Sequence, residues 1–84
     1  MPSSTSYHVY ILVSEKVPGR HYTGCTTDVE ARLAKHNKGD VSHTSKYRPW
    51  RLETVISFQS KEKARAFEAY LKSGSGRAFA TRHF

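Results

Sequence analysis

Apolar and polar positions alternate from Tyr7 to Val13, with Tyr7, Val9, Ile11 and Val13 on one face and His8, Tyr10 and Leu12 on the other. Side chains repeat every second residue along an extended chain, so this run predicts a strand that is apolar on both faces. Ser14 to Arg20 contains Pro18 and Gly19, which fix one φ and supply a left-handed position, and predicts a turn. Extended character returns from His21 to Cys25 and closes a hairpin. Thr27-Asp28-Val29-Glu30 has the form of a capping box, with the Thr27 hydroxyl and Glu30 carboxylate satisfying free amides, and predicts a helix from about Asp28 to Asn37. Lys38-Gly39-Asp40 ends that helix, and a polar loop continues to Pro49. Trp50 to Phe58 predicts a third strand, with Leu52, Thr54, Ile56 and Phe58 sharing a face. Ser60 caps a second helix running to Lys72, whose apolar stripe is Ala64, Phe67 and Leu71. Ser73-Gly74-Ser75-Gly76 reads as the break after it, followed by a short last helix from about Arg77 to Arg82 anchored by Phe79 and Phe84. The order is ββαβαα, an α/β (α+β) domain. Residues 1–6 are small and polar and are expected to be a disordered tail, leaving one domain over 7–84.

Length and composition narrow the function. A chain of 84 residues has no room for a second core and buries roughly 60–65% of its unfolded surface. The single Cys25 excludes an internal disulfide, and its place at a strand end suits ordinary packing. No apolar run approaches the ~20 residues of a membrane span, and Met1 to Ser6 lacks a signal-peptide pattern, so a cytoplasmic protein with no membrane segment is expected. Fourteen Lys and Arg against seven Asp and Glu leave a net charge of +7, with a pI near 9.9. That balance points to a polyanion, nucleic acid foremost. The five histidines and Cys25 show none of the paired spacings of a zinc site. Ser73 to Arg77 lacks the lysine and length of a P-loop, and Trp50 reads as a core anchor.

A helical projection, at about 100° per residue, places Arg32 and His36 beside Val29 and Leu33, facing the sheet. Either their stems merely pack on the sheet edge or they are presented to a shared site. The same construction sets Glu68 beside the Ala64-Phe67-Leu71 stripe. A half-buried carboxylate there needs a partner, either a nearby arginine or a divalent cation, since Mg²⁺ often takes a single protein carboxylate. Tyr10 and Tyr22 flank the first turn at nearly equal distances, so a hairpin sets them opposite or diagonal to one another. Core packing with a surface hydroxyl is the ordinary role of a strand tyrosine.

Taken together, His8-Val9-Tyr10, Tyr22-Thr23-Gly24, Arg32, His36 four residues later and the helical Glu68 resemble the signature of the GIY-YIG nuclease superfamily. The resemblance runs from Tyr7 through the second helix. It is nearest to the small stand-alone bacterial members, and extends to the catalytic domains of the nucleotide-excision-repair incision nuclease and the GIY-YIG homing endonucleases. His8 stands where the first motif names Gly, and Thr23 where the second names Ile. The resemblance implies a three-stranded antiparallel sheet flanked by helices, and hydrolysis of DNA phosphodiesters with one divalent metal, Mg²⁺ or Mn²⁺. It further implies that Tyr22 or Tyr10 acts as or orients a general base, that Arg32 stabilises charge, that Glu68 holds the metal and that His36 assists proton transfer or grips phosphate. A free phenol titrates near 10, so such a base needs cations beside it. Arg20, His43, Lys46 and Arg48 are the expected DNA-binding positions around this centre. So small a domain has little surface for reading sequence, which favours selection by DNA structure, in repair or recombination, or by a targeting protein partner. The alternative is a nucleic-acid-binding module that keeps the fold without cutting.

Overall fold

The computed structural model describes residues 5–84, so the tail expected at 1–6 falls mainly outside the described residues. The elements are β1 (Tyr7–Ser14), β2 (His21–Thr26), α1 (Val29–Lys38), a 3₁₀ turn (Ser45–Tyr47), β3 (Trp50–Phe58), α2 (Lys61–Lys72) and α3 (Gly74–His83). The three strands form one antiparallel sheet in the order β2-β1-β3. Central β1 is apolar on both faces because both are covered, and Val9 through Val13 are all buried. No helix among the described residues is long and apolar enough to cross a membrane.

One face packs under α2 and α3, where Val9, Ile11, Ala64 and Leu71 form a cluster joined by Tyr7, Phe58, Phe67 and Phe79. The predicted stripe of α2 is the one that buries, and each large side chain there contributes about 1.5–3 kcal/mol. The other face packs under α1 and the 3₁₀ turn, with Tyr10, Leu12 and Trp50 at its centre. Trp50 is a core residue, as expected, and its indole Nε1 donates to the Thr44 carbonyl at 2.9 Å. Asn37 ties α1 to the start of β3, accepting from the Trp50 amide at 2.6 Å and donating to its carbonyl at 3.0 Å.

Three local expectations are corrected. Asp28, not Thr27, caps α1: its carboxylate accepts from the Ala31 amide at 3.1 Å, and the charge also suits the positive end of the helix dipole. Leu52 does not share a face with Thr54, Ile56 and Phe58. Ile11 pairs with Thr54 but Leu12 pairs with Leu52, so Glu53 is an extra residue in a β-bulge that turns Leu52 onto the α1 face. The Ser-Gly segment is not a spacer, for α3 begins at Gly74 with the Ser73 hydroxyl accepting from the Gly76 amide at 3.1 Å. The sequence signal misled because glycine disfavours helix interiors, whereas here the glycines occupy a capped first turn.

Candidate active site

On the α1 face, β1 and β2 present the two tyrosines and α1 presents Arg32 and His36. Tyr10 stands opposite Gly24 and Tyr22 opposite Leu12, so the tyrosines are diagonal neighbours with ring centroids 6.2 Å apart. Gly24 makes this possible. A Cβ at that position would lie 2.5 Å from the Tyr10 hydroxyl, so the Tyr10 ring occupies the space that any side chain there would fill.

Tyr10 is buried, at 1% exposure, and its hydroxyl lies 3.1 Å from His36 Nε2. His36 Nδ1 lies 2.8 Å from the Thr44 hydroxyl, which itself donates to the Val41 carbonyl at 3.2 Å. With its one proton committed to Val41, Thr44 can only accept from His36, so Nδ1 carries the imidazole proton. Burial first, then the Arg32 and His43 charges, hold the His36 pKa below its ordinary value, so the ring is neutral. Its Nε2 is therefore an acceptor, and Tyr10 donates. The Thr44–Val41 bond and the neutral ring together orient every bond in the chain Tyr10–His36–Thr44–Val41. Burial also raises the Tyr10 pKa, consistent with a phenol that keeps its proton.

Arg32 lies within reach of the Tyr10 hydroxyl and, more weakly, of Tyr22. These contacts raise its pKa, the Tyr10 interaction outweighing burial. Arg32 Nε is buried without a partner among the described residues. Tyr22 is half-buried, its ring 4.7 Å from that of His36 and 6.0 Å from that of His43. Unlike Tyr10 it lines open space, at the junction of two clefts.

Residues 6–81 match the family of the GIY-YIG catalytic domain. The chain belongs to that family. A UPF0213 protein of Halobacterium salinarum is 42% identical over 67 residues, covering 79% of this chain and 84% of the relative. UPF0213 protein BH0048 of Halalkalibacterium halodurans is 41% identical over 73 residues, covering 86% and 76%. The solution NMR structure of UPF0213 protein BH0048 from Bacillus halodurans superposes with a TM-score of 0.55 at 35% identity, over 92% of this chain and 83% of that one. Membership of this family implies nuclease chemistry.

The structure gathers some of the expected site residues of this GIY-YIG domain and separates others. Tyr10, Tyr22, Arg32 and His36 converge. Glu68, on α2, is 18% exposed, and its Oε2 accepts from Lys72 Nζ at 3.0 Å. Its field reaches Tyr10 and Cys25, raising both pKa values in addition to the larger effect of burial. Arg20, His43 and Lys46 line one cleft with Tyr22. Arg20 lies over the Tyr47 ring with its Cζ 4.3 Å from the centroid. Arg48 does not line it; its Nε donates to the Ser45 carbonyl at 2.7 Å and its guanidinium covers Gly39. Thr44 was not among the residues singled out by sequence. It sits in a polar loop with no periodicity, and only the fold brings it under His36.

Proposed function

We propose that this chain is a divalent-metal-dependent endonuclease that hydrolyses DNA phosphodiester bonds, with Tyr22 as the general base. The observation that carries this reading is the inequality of the two tyrosines. Tyr10 is buried and its proton is committed to His36, while Tyr22 opens onto the clefts with the Arg32 guanidinium at hand. As a phenolate, Tyr22 takes the proton of the attacking water as the water oxygen bonds to phosphorus and the P–O bond to the leaving oxygen breaks, and that leaving oxygen takes a proton from solvent. Arg32 is protonated at any physiological pH and supplies the positive charge a phenolate requires. Its unpartnered Nε costs about 1–3 kcal/mol in the free protein, and a phosphate oxygen meeting the guanidinium fork removes that cost as charge develops at phosphorus. His36 is a positioning residue, since both ring nitrogens are already engaged.

Glu68 fits a Mg²⁺ or Mn²⁺ ligand, because it is a largely buried carboxylate engaged through Oε2 by a side chain of its own helix. The lysine that engages it is half exposed and can turn to solvent, which leaves the carboxylate to an incoming cation. When bound, the metal supplies Lewis-acid neutralisation of the phosphate and the leaving oxygen. The limited contact surface favours DNA selected by branch or flap geometry, as in repair or recombination, or delivered by a targeting partner. A second reading, a DNA-binding module that does not cut, draws support from the same Lys72–Glu68 pair, which already neutralises the carboxylate.

Cleavage of supercoiled plasmid and of forked, flapped and four-way DNAs with Mg²⁺, Mn²⁺ or EDTA separates the two readings. Metal-dependent cutting by the wild type that disappears in Glu68→Ala while DNA binding persists is the expected result. Binding by both proteins with cutting by neither would replace the nuclease with the module.

A further inference from the structure

Tyr22 lies on β2, an outer strand of the sheet, and the two clefts that meet there open on opposite faces of that strand. One, lined by Thr44 and Trp50, is on the α1 face and contains His43 and Lys46. The other, lined by Thr23 and Leu71, is on the α2 face, between the β1–β2 turn and the α2–α3 corner. Arg20 and Tyr22 belong to both. None of the expected DNA-binding positions except Arg20 faces this second cleft, yet it receives Lys72 and Arg77 from the corner. Although the chain has seven Asp and Glu, none lines either cleft. His21, which also lines both, faces Glu53 at 3.4 Å.

The corner that presents Arg77 is built to be rigid. Ser73 ends α2, its hydroxyl donating to the Tyr70 carbonyl at 2.5 Å, and the same oxygen accepts from the Gly76 amide at 3.1 Å to start α3. Gly76 is buried so closely against the Tyr70 carbonyl that a Cβ there would overlap it. The next residue, Arg77, is therefore delivered from a fixed backbone, and its side chain is exposed. Lys72 is paired with Glu68 at 3.0 Å and Arg20 lies over the Tyr47 ring, so Arg77 is the cation of the α2-face cleft that the fold leaves to a ligand.

We propose that this second cleft is a phosphate-binding subsite in which Arg77, assisted by Arg20 and Lys72, takes a backbone phosphate neighbouring the one at Tyr22. The inference rests on the nuclease reading and adds to it a path for the substrate: the strand being cut crosses the β2 edge instead of running along one face. The ligand class is a nucleic-acid phosphodiester, bound through charge and not through base edges.

The test is binding of an end-labelled DNA in EDTA, where nothing is cut, followed by fluorescence anisotropy over a salt series. Arg77→Ala is expected to reduce the slope of log K against log salt by about 0.7–0.9, the release from one phosphate contact. Arg77→Lys restores it, and Lys35→Ala, on the outer surface of α1, leaves it nearly unchanged. A second measurement fixes the place: DNAs carrying one uncharged methylphosphonate linkage at successive positions around the cut mapped with metal. One linkage beside the cut should weaken the wild type several-fold without further weakening Arg77→Ala. An unchanged slope in Arg77→Ala, or equal losses in both proteins at every linkage, overturns the subsite. If the wild type cuts DNA in that case, the nuclease reading stands and the subsite alone falls; if the wild type shows no salt-dependent binding, both fall.

Discussion

Under α2 and α3 the sheet meets Val9, Ile11, Ala64 and Leu71, side chains with no hydrogen-bonding demands, whereas under α1 it meets Tyr10 and Trp50 interleaved with buried His36 and Thr44. Burial of apolar area is non-directional, so the first cluster needs volume and pattern more than orientation. The second needs each polar atom answered, and a chain of donors and acceptors pointing one way from Tyr10 to Val41 does so. One sheet thus carries an apolar face that supplies stability and a face that holds a polar network in register. Tyr22, at the border of the polar face, opens onto both clefts and is the proposed base.

That division predicts opposite behaviour for two substitutions. Tyr22→Phe removes a proposed base whose hydroxyl the fold does not depend on, and should lower the cleavage rate about 10²–10⁴-fold with denaturant stability changed by under about 1 kcal/mol. Ile11→Ala, in the apolar cluster and outside both clefts, should do the reverse, costing about 2–5 kcal/mol while the folded fraction cuts at the wild-type rate. Urea titration and single-turnover cleavage on both proteins check the pair. Equal losses of stability in the two would break the comparison.

Gly24→Ala attacks the point where stability and chemistry meet, since the added methyl must displace the Tyr10 ring. Overpacking of this kind should cost about 1–3 kcal/mol, and the Tyr10–His36 bond should be lost with it. The check is two-dimensional NMR: the His36 ring resonances should move in Gly24→Ala and stay put in Leu71→Ala.

Much of this architecture is legible in the order of residues. The β1 alternation, the Ser60 cap and the Ala64-Phe67-Leu71 stripe each report a local rule, and each element formed where the rule placed it. The diagonal meeting of Tyr10 and Tyr22 follows from the symmetry of the hairpin. The features that escaped depend on contacts distant in sequence. A bulge at Glu53 is set by pairing with β1, and Leu52 changed faces because of it. Thr44 has meaning only under His36, and Gly24 only opposite Tyr10. Even Arg77, in a segment whose sequence lacks the lysine and length of a P-loop, gains its proposed role only when the α2–α3 corner brings it to the β2 edge.

The smallest expected effect concerns His36 itself and its dependence on pH. Its folded pKa is held below the ordinary value by burial, then by Arg32 and His43, while in the unfolded chain it titrates near 6.5. Between the folded and unfolded values the unfolded chain binds more protons, so stability rises with pH. The contribution of neutral His36 is fully present above about pH 6.5 and is lost as pH falls through the depressed folded value. Urea midpoints for the wild type should therefore decline from pH 7 toward pH 5, and His36→Gln should flatten that decline while lowering the curve. Leu71→Ala should lower the curve without changing its slope, because an apolar contact has no proton to exchange. Thr44→Val sharpens the assignment further: it strands the Nδ1–H, and imidazole nitrogen shifts should show the wild type as the Nδ1–H form and the variant driven from it, with Thr44→Ser restoring the wild-type signal. A wild-type ring protonated on Nε2 at neutral pH would reverse the bond to Tyr10, and with it the reason for assigning the base to Tyr22.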